Sequence, residues 1–422
     1  MASPAVSGRV AFQHPNFRNY MVARFLITTA SEMQAVAVGW QVYGISHRPF
    51  DLGLVGLAQF LPGVLLFLLA GHTADRVPRQ RILAACCVGY ATCSLALLSL
   101  TVHGLTAVWP VYVALLGNGV VRAFSGPASQ AFVPLLVPAE HFPNAVAWSS
   151  SVFMSAVIIG PMIGGPLYGL LGNPMVIYGA SAAETLTALV LIIALRLPAA
   201  SKARPASGLE GVLGGLRYIW RTRLVLGAIS LDLFAVLLGG AVALLPVYAR
   251  DILMLGPKGL GYLRSAPGAG ALLCALGLTH FPIRRRAGIL MLCCVTGFGV
   301  CTIVFGLSRS VPLSLAALVV LGATDMISVN VRHNMIQLTT PDEMRGRVSA
   351  VNSIFIGASN ELGQFESGIT AQWFGTVGSV VMGGIGTLAV VAFWIWLFPS
   401  LRRVDQLSTL TPETPEILTS EA

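Results

Sequence analysis

Apolar residues fill this chain in long runs, and polar residues gather in the short gaps between them. Twelve runs stand out, at about 20–45, 51–72, 81–102, 107–130, 143–168, 174–197, 224–248, 260–281, 287–308, 312–335, 346–371 and 376–398. The stretch from Leu52 to Ala70 has no charged residue, and neither has Ile82 to Val102. Crossing a bilayer takes about 20 residues at a helical rise of about 1.5 Å. Backbone polar groups in hydrocarbon must pair within their own segment, so runs of this kind predict helices. The expected fold class is an all-α polytopic membrane protein with twelve transmembrane helices.

Composition sharpens the picture in one respect. Hydrophobic residues make up 55% of the 422 and charged residues only 10%, against roughly 25% charged in soluble domains. A soluble globular protein is excluded. The net charge of +9 would suit nucleic acid if it formed a patch, but the cations sit in short gaps between runs. No nucleic-acid partner is expected; the lipid bilayer is.

Those cations also set the topology. Nineteen of the 26 Lys and Arg residues fall in one alternating set of gaps, including Arg76, Arg79, Arg81, Arg217, Arg221, Arg332, Arg402 and Arg403. Five fall in the opposite set: Arg48, Arg250, Lys258, Arg264 and Arg309. By the positive-inside rule both termini are expected in the cytoplasm. Met1 to Asn16 is polar and lacks a signal-peptide core, so it is expected to stay on the side of synthesis.

The halves repeat. Val137-Pro138-Ala139-Glu140 answers to Thr340-Pro341-Asp342-Glu343 at an offset of 203, and Gly160 and Gly165 fall on Gly363 and Gly368. Ile82-Leu83-x-x-Cys86-Cys87 returns as Ile289-Leu290-x-x-Cys293-Cys294. The expected organisation is a six-helix bundle over 1–197, a linker over 198–223, a second bundle over 224–398 and a disordered tail over 399–422. The linker turns basic near Arg217-Tyr218-Ile219-Trp220-Arg221, where an amphipathic surface helix or a flexible tether would fit. Parallel repeats of this type place a substrate site between the halves, near the midplane.

Charges inside apolar runs cost about 2.5–3.5 kcal/mol each on insertion scales and usually face a cavity or a partner. Glu32 lies in the first run, with Arg24 and Thr28 at steps of four. Asp232 lies in the seventh, near where the repeat puts the counterpart of Glu32. Asp325 shares a helical face with Ser328 and Arg332. Glu184, Glu361 and Glu366 complete the set. Glu32, Asp232, Asp325 and Glu361 are the candidate proton- or substrate-binding groups. The plain alternative for each is a static pair that holds helices together. Arg122 of the fourth run is a candidate for coupling, or a cation snorkelling to the interface.

No G-x-x-x-x-G-K-[ST] or H-E-x-x-H is present. The seven histidines are scattered near run ends, and the seven cysteines lie within apolar runs without C-x-x-C spacing. No enzyme, metal, cofactor or disulfide framework is expected; the cysteines read as small apolar fillers.

The segment from Gly71 to Arg81 carries Gly71, Asp75, Arg76, Arg79 and Arg81 in a short charged turn between the second and third runs. Gly71 was expected to let the helix end approach a neighbour, and Asp75 to cap a helix or pair with an arginine. A plain topogenic loop is the alternative. The pattern G-x-x-x-D-R-x-x-R-x-R resembles the signature loop of the major facilitator superfamily. Arg122 followed by Gly126 resembles that superfamily's fourth-span motif, with Ser125 in place of the usual glutamine. Gly160, Pro161, Gly164 and Gly165 resemble the G-P-x-x-G-G motif of its drug-type antiporters; without the resemblance they read as a bent packing seam. Phe17-Arg18-Asn19-Tyr20 and Asn360 to Gly368 are similar to the branch containing bacterial enterobactin and macrolide exporters.

This resemblance implies the major facilitator fold, a gating role for the Gly71–Arg81 segment and proton coupling at Arg122. It also implies export of a small amphipathic molecule, a siderophore or drug, in exchange for protons. A monomer in the bacterial inner membrane is expected. An uptake symporter or uniporter on the same fold, or a transport-inactive sensor or scaffold, stays open.

Overall fold

The computed structural model describes residues 10–196, 209–281, 283 and 285–407. All regular elements among them are helical. Before the linker come α1 (Pro15–Ser46), α2 (Pro49–Leu65), α3 (Phe67–Arg76), α4 (Arg79–Val102), α5 (Trp109–Gln130), α6 (Phe142–Leu171) and α7 (Met175–Ile193). Then follow α8 (Leu209–Arg221), α9 (Arg223–Leu238), α10 (Leu245–Val247), α11 (Gly256–His280), α12 (Ala287–Leu307), α13 (Val311–Thr339), α14 (Asp342–Phe374), α15 (Thr376–Leu397) and α16 (Pro399–Arg403). A helix, or a broken helix, falls on each of the twelve apolar runs. Among the described residues seven are long and apolar enough to span a bilayer by length and composition alone.

Two runs break inside. The second splits at Leu66 into α2 and α3, one turn after Pro62, which has no N–H to donate and crowds the preceding turn. The seventh ends α9 at Gly239 and continues through a 3-10 turn, α10 and a π turn over Tyr248–Ile252. Gly239 and Gly240 supply the break, and Gly240 lies against α14: a Cβ there would stand 2.5 Å from the Gly363 carbonyl oxygen.

The chain forms two compact units. The first comprises the described residues of Met1–Ser46, Leu61–Ala206 and Leu255–Ser265; the second those of His47–Phe60, Ser207–Met254 and Ala266–Ala422. The start of α2 therefore groups with the second unit, and the start of α11 with the first. In the first unit α1 packs on α6 and α7, and α4 on α5 and α7. Its core gathers Phe17, Tyr20, Met21, Cys86, Cys87, Phe132 and Ile192. In the second unit α9 packs on α14 and α15, and α12 on α13 and α15. Its core gathers Leu231, Met291, Leu292, Val331, Met335, Val391 and Trp394.

Two expectations change, and of the two readings of the basic linker segment the helical one is met. The tail does not begin at 399: α16 follows the last span, and the N–H groups of Ala287 and Gly288 donate to the carbonyls of Asp405 (3.1 Å) and Val404 (3.0 Å). Residues 408–422 of that expected tail lie outside the described residues, as do 197–208 of the linker region. The histidines are not all scattered, since His14 Nε2 lies 2.9 Å from His141 Nδ1. The basic part of the linker is the helix α8, whose Tyr218 hydroxyl donates to the Thr339 carbonyl at 2.8 Å.

Candidate functional site

The first unit builds its site on the seam between α1 and α6. Lipid supplies no hydrophobic drive for helices to associate, so small residues and close backbones must do it. A Cβ on Gly160 would stand 2.6 Å from the Glu32 Cβ and 3.1 Å from the Thr29 carbonyl oxygen. One on Gly164 would stand 3.0 Å from the Met33 Cα. Only glycine at these positions lets α6 lie on α1 beside Glu32. The neighbouring Gly165 serves another helix: its Cβ would stand 2.6 Å from the Gly261 Cα of α11.

This second contact explains a partner that sequence patterns missed. With α11 held against α6, Arg264 Nε lies 3.5 Å from Glu32 Oε2, and both side chains are 26% exposed. Two turns away on α1, the Arg24 guanidinium donates to the Ser149 hydroxyl of α6 and stacks 5.6 Å over the Phe153 ring. The Thr29 hydroxyl, one turn from Met33, is buried without a hydrogen-bond partner among the described residues. The arrangement sets a carboxylate and a guanidinium side by side, both partly exposed.

The second unit treats its carboxylate differently. Asp232 of α9 forms an ion pair with Arg332 of α13, with 9% and 3% of each residue exposed. The charge count groups Arg332 with the cations of one face and Arg264 with those of the other, and the sequence pattern also sets Arg332 on the helical face of Asp325. Both lie within helices, as the partners of Asp232 and Glu32. Asp325, half-buried, stands two turns before Arg332 on α13, with Ser328 buried between them.

The repeat of the glycine motif is visible in α14. A Cβ on Gly363 would stand 2.9 Å from the Leu237 carbonyl oxygen at the end of α9, and one on Gly368 2.7 Å from the Gly53 Cα of α2. Gly363 and Gly368 thus do for α14 what Gly160 and Gly165 do for α6. Glu361 is buried just before this seam, and Gln364 Nε2 donates to it at 3.4 Å. Glu184 on α7 is half-buried, with Oε2 unpartnered among the described residues.

In α5 Arg122 is exposed. The Ser125 hydroxyl donates to the Arg122 carbonyl at 3.3 Å and lies 2.8 Å from the Tyr90 hydroxyl of α4. Ser125 therefore ties α4 to the turn that carries Arg122.

The Gly71–Arg81 segment is mostly helix. Gly71, Asp75 and Arg76 end α3; Arg79 and Arg81 open α4, leaving Val77 and Pro78 as the turn. Among the described residues no heavy atom would lie within 4 Å of a Cβ on Gly71, so the expected close approach is not seen among them. The Asp75 side chain lies outside the described residues. Arg79 donates to the Ala131 carbonyl at 2.9 Å, at the end of α5. Gln80, which the motif leaves unspecified, donates to the carbonyls of Ile192 (2.8 Å) and Leu195 (2.9 Å) at the end of α7. Cationic and amide donors suit helix C-termini, where carbonyls lack partners.

Comparison with known proteins agrees with this architecture. The family described as transmembrane secretion effector matches residues 6–420. The chain is 27% identical over 416 residues to the enterobactin exporter EntS of Shigella boydii serotype 4, covering 97% of this chain and 96% of that protein. A bacterial homologue of the human lysosomal transporter Spinster superposes with a TM-score of 0.73 at 14% identity, covering 90% of this chain and 95% of that one. The nucleoside transporter NupG (D323A mutant) superposes with a TM-score of 0.69 at 12% identity, covering 91% and 100%. By their descriptions these relatives are transporters rather than enzymes.

Proposed function

The chain belongs to the transmembrane secretion effector family of the major facilitator superfamily, and on that premise we propose that it exports a siderophore-like or amphipathic small molecule in exchange for protons. The relative at 27% identity is an exporter of enterobactin, which supports that cargo class. The observation that carries the coupling is the seam at Gly160, which seats Glu32 beside Arg264 at 3.5 Å with both side chains partly exposed.

In this reading the Glu32 carboxylate holds Arg264 while cargo is absent. A proton arriving from outside neutralises Glu32 and frees the guanidinium. Loss of that proton to the cytoplasm restores the pair. Making and breaking the Glu32–Arg264 pair is the conformational step proposed to accompany proton exchange. Asp325 and Glu361 are proposed to tune cargo or proton binding, Arg122 to take part in coupling, and the Asp232–Arg332 pair to hold α9 and α13 together. Asp75, Arg76, Arg79 and Arg81 are proposed to act on the cytoplasmic gate. The protein is proposed to work as a monomer in the bacterial inner membrane with both termini in the cytoplasm, its halves divided by the 198–223 linker.

The test uses inverted vesicles with an acid interior and a pH-sensitive dye. Catecholate siderophores and amphipathic drugs are added singly. A cargo that dissipates the gradient in wild type supports proton-coupled export. Cargo uptake into oriented right-side-out vesicles, driven by an inward proton gradient, would reverse the direction assigned.

A further inference from the structure

The triplet Arg284-Arg285-Arg286 stands where the signature loop should recur in the second half, without an acid of its own. The chain supplies one from elsewhere: Asp405 Oδ1 accepts from the Arg286 N–H at 2.9 Å. With the backbone bonds to Val404 and Asp405, the segment after α15 is clamped across the start of α12. Leu401 is fully buried there, its carbonyl oxygen 1.7 Å from where a Gly288 Cβ would stand. The clamp fixes Arg402 and Arg403, both exposed, at the mouth of a groove of about 450 Å³.

The rest of that groove is apolar. Leu292, Cys293 and Thr296 of α12 form its floor at helical spacing, and Ile395 of α15 closes its side. Cys293 is exposed and Ile395 is 37% exposed, so the groove lies on the outer surface of the second unit. The first N–H groups of α12 are already bonded to the clamp, so among the described residues lining the groove the anion-binding groups are the guanidiniums of Arg402 and Arg403. A slot with an apolar floor and two fixed cations at one end complements a single amphiphile with an anionic head.

We propose that this groove between α12 and α15 binds one anionic phospholipid, its phosphate held by Arg402 and Arg403 and an acyl chain lying over Leu292, Thr296 and Ile395. The leaflet is the one faced by the arginine-rich loops. The site is independent of cargo and of transport direction. Arginines near a membrane surface favour anionic lipid, and guanidinium suits phosphate oxygens.

The test is native mass spectrometry of the full chain released from micelles holding equal phosphatidylglycerol and phosphatidylcholine. Wild type should retain one phosphatidylglycerol, at least about tenfold more than Arg402→Gln/Arg403→Gln. Thr296→Trp, which fills the floor but keeps the arginines and the clamp, should lose it too, so the test survives if the double variant misfolds. Arg217→Gln/Arg221→Gln, on α8, should retain it. Equal retention in wild type and in both groove variants would overturn the proposal. So would displacement by millimolar inorganic phosphate, which would make the arginines a site for free anions.

Discussion

Each half of this transporter sets one carboxylate near the middle of its first span, and the two are housed in opposite ways. Asp232 and Arg332 are almost entirely removed from solvent. Glu32 and Arg264 are a quarter exposed and stand 3.5 Å apart. Two charges taken out of water are held together by the penalty for separating them, so the Asp232–Arg332 pair behaves as a rivet between α9 and α13. A partly exposed pair forms and breaks at less cost than a buried one, which is what a switch requires. Repeated sequence has thus produced unlike devices. The partners come from non-equivalent spans, α13 in one case and α11 in the other.

The largest effect should come from breaking the rivet on one side. Arg332→Ala leaves Asp232 buried and alone, and should cost about 3–5 kcal/mol, read as a large drop in melting temperature in detergent. Asp232→Asn with Arg332→Gln should recover much of it, because no uncompensated charge remains. If Arg332→Ala melts like wild type, the two pairs are not different in kind.

Next is the seam that holds the switch. Gly165→Ala puts a methyl group 2.6 Å from the Gly261 backbone, where neither side can yield cheaply. It should cost about 1–3 kcal/mol and loosen the Glu32–Arg264 contact. Gly71→Ala, which meets nothing within 4 Å among the described residues, should be neutral or slightly stabilising, since alanine is the better helix former. Equal melting of these two variants would show that the motif is not a close seam.

A smaller effect belongs to the Gly71–Arg81 segment. Arg79→Gln removes a hydrogen bond to the Ala131 carbonyl and should cost about 1 kcal/mol. Differential scanning fluorimetry resolves a loss of that size. A larger loss would mean that Arg79 also holds a group besides that carbonyl.

Much of this was legible in the sequence because it is local. Runs of apolar residues gave the helices, and the motif at Gly160 to Gly165 marked α6 as a seam. The loop counts were less safe guides. They treat arginine as a residue that lipid expels, whereas an arginine with a carboxylate partner can stay inside; hence the count hides that Arg264 and Arg332 are the partners of Glu32 and Asp232. Their true roles depend on which helices pack together, and that is decided by contacts such as Gly165 on Gly261, between residues distant in the chain. The ordering of residues 399–407 was hidden for the same reason, since the acid that secures Arg286 is Asp405, far along the chain.

The smallest expected change in stability goes with the largest in function, and it tests the central claim. Glu32→Gln should shift stability by less than about 1 kcal/mol. The direct measurement is cargo-driven collapse of the pH gradient in inverted vesicles, comparing Glu32→Gln with wild type at matched amounts of folded protein. The switch predicts that wild type collapses the gradient while Glu32→Gln leaves it standing and still binds cargo. Collapse at the wild-type rate in Glu32→Gln would contradict it.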